Sequence, residues 1–202
     1  MLKTQEKIME RINSSSYGSF TTSDFADIAN YKSVSKSLEL LEDKQILKKA
    51  KRGVYYKPIF NNAIKMECAP NLDDVANAIA RQYNWNIVPS GNYALNLIGI
   101  STQVPSKIVY CSSGPYREYE VGANKLIFKH TTTKEITDLR LNNLIAIQAL
   151  KELGKDNISI DDMKLIDNFL SIEDKQEITQ GIRITSWIYD TLRRAICITS
   201  QN

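Results

Sequence analysis

Apolar residues recur at helical spacing through the first third of the chain. Ile8 and Ile12, with Met9 beside them, predict a first helix over Thr4 to Asn13. The run Asn13-Ser14-Ser15-Ser16-Tyr17-Gly18 breaks it. Phe25 and Ile28 predict a short second helix, Asp24 to Asn30, capped by Thr22 or Ser23. After a turn at Tyr31-Lys32, Val34, Leu38 and Leu41 stand at i, i+4 and i+7 and give a third helix one apolar face. Ser33, Ser35, Lys36 and Glu39 point away from that face. Lys51-Arg52-Gly53 then reads as a hairpin tip, with Gly53 supplying the positive φ that a tight loop needs. Val54-Tyr55-Tyr56 is a β-prone run that Pro58 stops. Short helices followed by a hairpin match the plan of a winged helix-turn-helix, with Ser33–Pro58 as recognition helix and wing.

Beyond Pro58 the pattern changes. Residues 59–69 have little periodicity and read as an irregular linker. Asn71 caps a predicted helix, Leu72 to Tyr83, with Val75, Ile79 and Tyr83 on its apolar side. A strand follows near Trp85–Val88, then a helix Asn92–Ile98 ended by Gly99, with Ser90 as its expected cap. Lys107–Cys111 predicts a strand, and Arg117–Val121 and Lys125–His130 a hairpin around Gly122. From Asn142 onward the spacing is helical, and Ser171-Ile172-Glu173-Asp174 resembles a capping box. The expected fold class is α+β. Residues 1–58 form a winged helix-turn-helix, and 70–202 a mixed α/β domain with a short β-sheet and a helical C-terminal part.

Charge sharpens this division. Residues 1–60 hold 11 Lys+Arg against 7 Asp+Glu, a balance of +4; residues 61–202 hold 15 against 16, a balance of −1. Lys48, Lys49, Lys51, Arg52 and Lys57 crowd together at the predicted wing. Such a cluster is an electrostatic footprint for a polyanion, although lysines also suit a solvated edge strand. The residues expected to face duplex DNA are Lys32, Ser33, Ser35, Lys36, Glu39, Lys48, Lys49, Lys51 and Arg52. The helix residues would read base edges, and the basic side chains would grip phosphate.

No catalytic constellation emerges. His130 is the sole histidine, so multi-histidine metal sites and paired-histidine acid–base systems are excluded. Cys68, Cys111 and Cys197 are far apart and read as reduced thiols. Phosphate-binding glycine patterns are absent. Ser90-Gly91 at a helix start could bind an anion, but the plainer reading is a serine cap. Asp73-Asp74 and Asp161-Asp162 project about 100° apart on their helices and do not converge. Neither a membrane span nor a signal peptide is apparent, so cytoplasmic residence is expected, with no cofactor and no metal.

The segment PSGNYALNLIGISTQVPSKIVYCSSGP, Pro89 to Pro115, resembles the antitoxins of abortive-infection type IV toxin–antitoxin systems, particularly a branch carried as a domain of unknown function. Pro89-Ser90-Gly91, Tyr93-Ala94, the run from Leu97 through Gly99, Ser101, Thr102, Gln103 and Val104 to Pro105, and Ile108-Val109-Tyr110 carry the likeness. Ile127–Thr131, Leu153-Gly154-Lys155-Asp156 and Arg52-Gly53-Val54-Tyr55-Tyr56 extend it. The resemblance implies a DNA-binding autorepressor whose second domain neutralises a nucleotidyltransferase-like toxin in phage defence. It also implies pairs of copies on inverted-repeat operators. Two alternatives stay open: a stand-alone winged-helix regulator, and a protein-docking module.

Overall fold

A computed structural model describes residues 4–63, 65–103, 105–133, 136 and 138–199; Val104 of the motif segment lies outside them. The fold is mixed α+β, with eight α-helices among the described residues and three small sheets. Packing divides it into two compact units, residues 1–85 with 120–124, and residues 86–119 with 125–202.

The first unit runs α1 (Thr4–Ser14), β1 (Ser19–Phe20), a 3-10 turn (Thr22–Phe25), α2 (Tyr31–Asp43), β2 (Lys48–Lys51), β3 (Val54–Tyr56), β4 (Phe60–Asn61), β5 (Met66–Glu67) and α3 (Leu72–Tyr83). Strands β1, β3 and β2 form an antiparallel sheet in that order. Ile8, Ile12, Phe20, Phe25, Val34, Leu38, Leu41, Leu47 and Tyr55 make one buried core. These include all of the inward positions expected on the first and third helices.

Three expectations in this unit need correction. The second helix shrinks to the 3-10 turn, because the Asp24 carboxylate accepts from the Thr21 backbone N–H (2.7 Å) and also holds Arg81, fixing a tight turn instead of a helix start. The supposed irregular linker contains the β4–β5 hairpin, which pairs Phe60 with Glu67 and Asn61 with Met66. Tyr83 is not an inward residue: α3 ends in a left-handed Asn84 and Tyr83 stacks on Trp85 with ring centroids 4.9 Å apart, leaving it half-exposed.

Helix α3 packs with β1 and the 3-10 turn, so packing divides the chain at Trp85, on a different line from the sequence division at 58 and 70. The tie is specific. Arg81 donates to Asp24 (Nε to Oδ1, 2.9 Å) and to the Ser19 carbonyl (2.8 Å), and its guanidinium lies 3.9 Å from the Tyr17 ring centre.

After Trp85 come β6 (Ile87–Ser90), α4 (Asn92–Ile98), β7 (Lys107–Ser112), β8 (Arg117–Val121), β9 (Asn124–His130), α5 (Leu141–Leu153), α6 (Ile160–Phe169), α7 (Ile172–Thr179) and α8 (Ser186–Thr199), all in the second unit except residues 120–124 at the β8–β9 turn. Its sheet order is β6-β7-β9-β8, antiparallel between β6 and β7 and parallel between β7 and β9. Helix α5 is buried along most of its length and forms the centre of a core with Val88, Ala94, Ile98, Ile166, Ile178, Ile188 and Leu192. The expected capping box at Ser171 forms: Ser171 Oγ accepts from Asp174 N and Asp174 Oδ2 accepts from Ser171 N.

Candidate nucleic-acid interface

Asn30 starts α2. Its side chain accepts from Ser33 N at 3.0 Å, so the helix begins at Tyr31, two residues before the expected start. Val34, Ser37, Leu38 and Leu41 turn inward. Two stripes remain outward, at spacings of three and four. Lys32, Lys36, Leu40 and Lys44 form the first, and all four are exposed. Tyr31, Ser35, Glu39 and Glu42 form the second. Within it Ser35 Oγ donates to Glu39 Oε1 at 3.4 Å.

The β2–β3 hairpin adjoins this helix. Its register slips at Ala50, so Lys51 pairs with Val54 directly before the turn, where Gly53 takes φ +82. Arg52 at the tip is exposed. Lys51 Nζ donates to the Arg52 carbonyl at 3.0 Å, and burial pushes its ammonium pKa down. Lys48 pairs with Glu67 of β5, and Lys49 pairs with Glu42 of α2 while sitting 5.6 Å from the Tyr55 ring centre. These hydrogen bonds raise both ammonium pKa values. Lys57 is turned elsewhere and donates to Asn13 Oδ1 at 2.9 Å.

The structure therefore sorts the nine residues expected at DNA. Lys32, Lys36 and Arg52 are exposed, and no ion pair engages them among the described residues. Ser33 and Ser35 are half-buried, Glu39 is exposed beside Ser35, and Lys51 is half-buried at the tip. Lys48 and Lys49 carry carboxylate partners. Lys44, at the C-cap of α2, extends the lysine stripe and was missed; its spacing of eight from Lys36 was the signal. Arg11 and Arg81, the other arginines of this unit, serve the fold. Arg11 donates to Asp27 (2.7 Å) and to the Asp24 carbonyl (3.1 Å), and the Arg11 bond pulls the Asp27 carboxyl down to about 2.

The motif segment lies in the second unit and spans β6, α4 and β7. Pro89 pairs with Tyr110 and Ser90 with Val109. Ser90 is not the cap of α4: Gly91 holds that place with φ +63 and ψ −149, a conformation suited to glycine. Ser90 Oγ instead donates to Gln148 Oε1 of α5 at 3.2 Å, and Cys111 Sγ lies 3.4 Å from the same oxygen. Gly99 closes α4 at φ +88. Asn96 Nδ2 then donates to the carbonyls of Ser101 and Gln103 at 3.1 and 3.2 Å, holding the loop that leads to Pro105. Tyr93 is buried edge-on to Tyr110, which stacks on Phe128. Leu97, Gly99, Thr102 and Gln103 are exposed among the described members of the motif.

An anion at the Ser90-Gly91 turn meets two obstacles. The serine hydroxyl is committed to Gln148, and Glu152 Oε2 stands 3.8 Å from where a Gly91 Cβ would lie. His130 Nδ1 donates to the Gly114 carbonyl at 2.9 Å, and so holds the turn after β7. The three cysteines are free. Among the described residues no cluster of three or more His, Cys, Asp or Glu could hold a metal ion, and no helix is long and apolar enough to cross a membrane.

Residues 7–178 match DUF6088, a family of unknown function, and the chain belongs to that family. No curated protein matches the chain at a significant level.

Proposed function

We propose that this DUF6088 protein is a DNA-binding transcriptional autorepressor and antitoxin. In this reading residues 1–58 are a winged helix-turn-helix, α2 is its recognition helix and the β2–β3 hairpin is its wing. One observation carries the DNA half: Lys32, Lys36 and Lys44 form an exposed stripe on α2, and Arg52 projects from the hairpin tip of the same unit, all without carboxylate partners among the described residues. Cations left unpaired beside a helix with small polar side chains suit a major groove and its flanking phosphates. Lys36, Ser35 and Glu39 would meet base edges. Lys32, Lys44 and Arg52 would meet phosphate or the minor groove, and fix the register.

The antitoxin half rests on the resemblance of the Pro89–Pro115 segment. It assigns the second unit the task of neutralising a nucleotidyltransferase-like toxin encoded beside this chain. Two copies are expected on an inverted-repeat operator.

Fluorescence anisotropy on a duplex carrying the upstream region of the chain's own gene tests the first half. Arg52→Ala should weaken binding to every sequence and lower the salt slope by about 1, whereas Lys36→Ala should change preference among sites. If both variants bind like wild type, the winged-helix assignment fails. Co-expression with the neighbouring gene product tests the second half. Growth arrest that this chain does not relieve removes the antitoxin reading and leaves a stand-alone regulator.

A further inference from the structure

We propose that Glu42 and Glu67 limit how many phosphates this surface can hold by withholding Lys49 and Lys48 from the DNA backbone. The inference rests on the DNA-binding reading above and deepens it, because it says which cations touch phosphate.

Lys48 and Lys49 are consecutive in β2, so their side chains leave opposite faces of the sheet. Each meets a carboxylate, and the two carboxylates come from different elements: Glu67 from β5 and Glu42 from α2. The hairpin β4–β5 lies after the wing in sequence and brings Glu67 back to it. Lys32, Lys36, Lys44 and Arg52 have no such counter-charge among the described residues. The cations of this surface thus include a set without counter-charge and a pair, Lys48 and Lys49, already neutralised.

The division matters because non-specific affinity grows with the number of phosphates neutralised, each adding about 0.9 to the salt slope. A lysine that already holds a carboxylate must give it up to bind phosphate, and it exchanges one anion for another with little counterion released. Pairing Lys48 and Lys49 therefore weakens binding to random sequence. Base contacts from α2 are unaffected, so the pairing lowers backbone affinity and its salt dependence without changing which bases α2 meets.

The experiment is a salt titration of full-length protein on a random-sequence duplex. Glu67→Gln and Glu42→Gln should each steepen the slope by about 1 and tighten binding about tenfold near 0.1 M salt, with the double variant showing both gains. The Glu67→Gln gain should vanish in a Lys48→Ala background. Lys48→Ala alone should leave the slope near wild type, unlike Arg52→Ala. Unchanged slopes in Glu42→Gln and Glu67→Gln, with Arg52→Ala still lowering the slope, overturn this inference and leave the DNA-binding reading standing. The same holds if Lys48→Ala lowers the slope as much as Arg52→Ala does. Wild-type protein that shows no salt-dependent duplex binding overturns both.

Discussion

In the first unit, polar residues that stand out in the sequence project into solvent: Lys32 and Lys36 on α2, whose inward face carries Val34, Leu38 and Leu41, and Arg52 at the hairpin tip. In the second unit, the residues that stand out project inward. Tyr93 and Tyr110 are buried, Ser90 is bonded to Gln148, and Gly91 and Gly99 hold positive φ. The contrast separates two kinds of sequence signal. A surface signal is read from charges that the fold leaves without partners. A motif such as Pro89–Pro115 is read from residues that the fold cannot replace, and most of its recognisability comes from one strand–helix–strand turn. Leu97, Thr102 and Gln103 are among its outward side chains.

If that contrast is right, inward residues of the second unit should cost stability when changed and outward residues of the first should not. Tyr110→Ala should lower the urea unfolding free energy by about 4 kcal/mol, because the ring is 2% exposed and touches both Tyr93 and Phe128. A loss below about 1 kcal/mol would break the comparison.

Asp174→Ala should cost about 3 kcal/mol, toward the low end for a buried ionic network because Arg140 is half-exposed. Burial pushes the Asp174 carboxyl up, but bonds from Asn142, the Ser171 backbone, Arg140 and the Ser171 hydroxyl outweigh it, and the net shift is downward. The network therefore stabilises the fold fully above the ordinary aspartate range near ~3.9 and is lost as pH falls through the lower folded value. In acid titrations followed by circular dichroism, the gap between wild type and Asp174→Ala should be constant at neutral pH and narrow below about pH 4. A gap that widens in acid contradicts the assigned shift.

Gly91→Ala should cost about 2 kcal/mol through backbone strain alone, since a Cβ there has only ordinary contacts, the nearest at 3.8 Å. Calorimetry showing an unshifted midpoint would mean that the turn relaxes freely. The smallest effects belong to Lys36→Ala and Arg52→Ala, which should stay within about 0.5 kcal/mol of wild type in the same urea assay. A larger loss would show that these cations serve the fold as Arg11 and Arg81 do.

Much of the fold was legible from spacing. The inward faces of α1 and α2, the Asn71 and Ser171 caps, the Gly53 turn and the Gly99 helix end all follow from local rules. What was not legible depended on partners distant in sequence. Asp24 looked like a helix-start residue until Arg81, 57 positions away, was seen to hold it. Ser90 looked like a cap, but Gln148 takes its hydroxyl from 58 positions away. Strands β1, β4 and β5 are two residues each, too short for any alternation to register. The surface was legible as charge and not as pairing. Nothing in Lys48-Lys49 reveals that Glu67 and Glu42 meet them, and the lysine at 44 was hidden by a helix end.

The slip at Ala50 has one more consequence. Strand β2 is an outer strand of the β1-β3-β2 sheet, and its free side offers backbone groups to any passing strand. The irregular register spoils that template, so the β2 strand of a second copy cannot simply zip alongside. On the DNA-binding reading proposed above, two copies on neighbouring half-sites would therefore recognise each other through some other face.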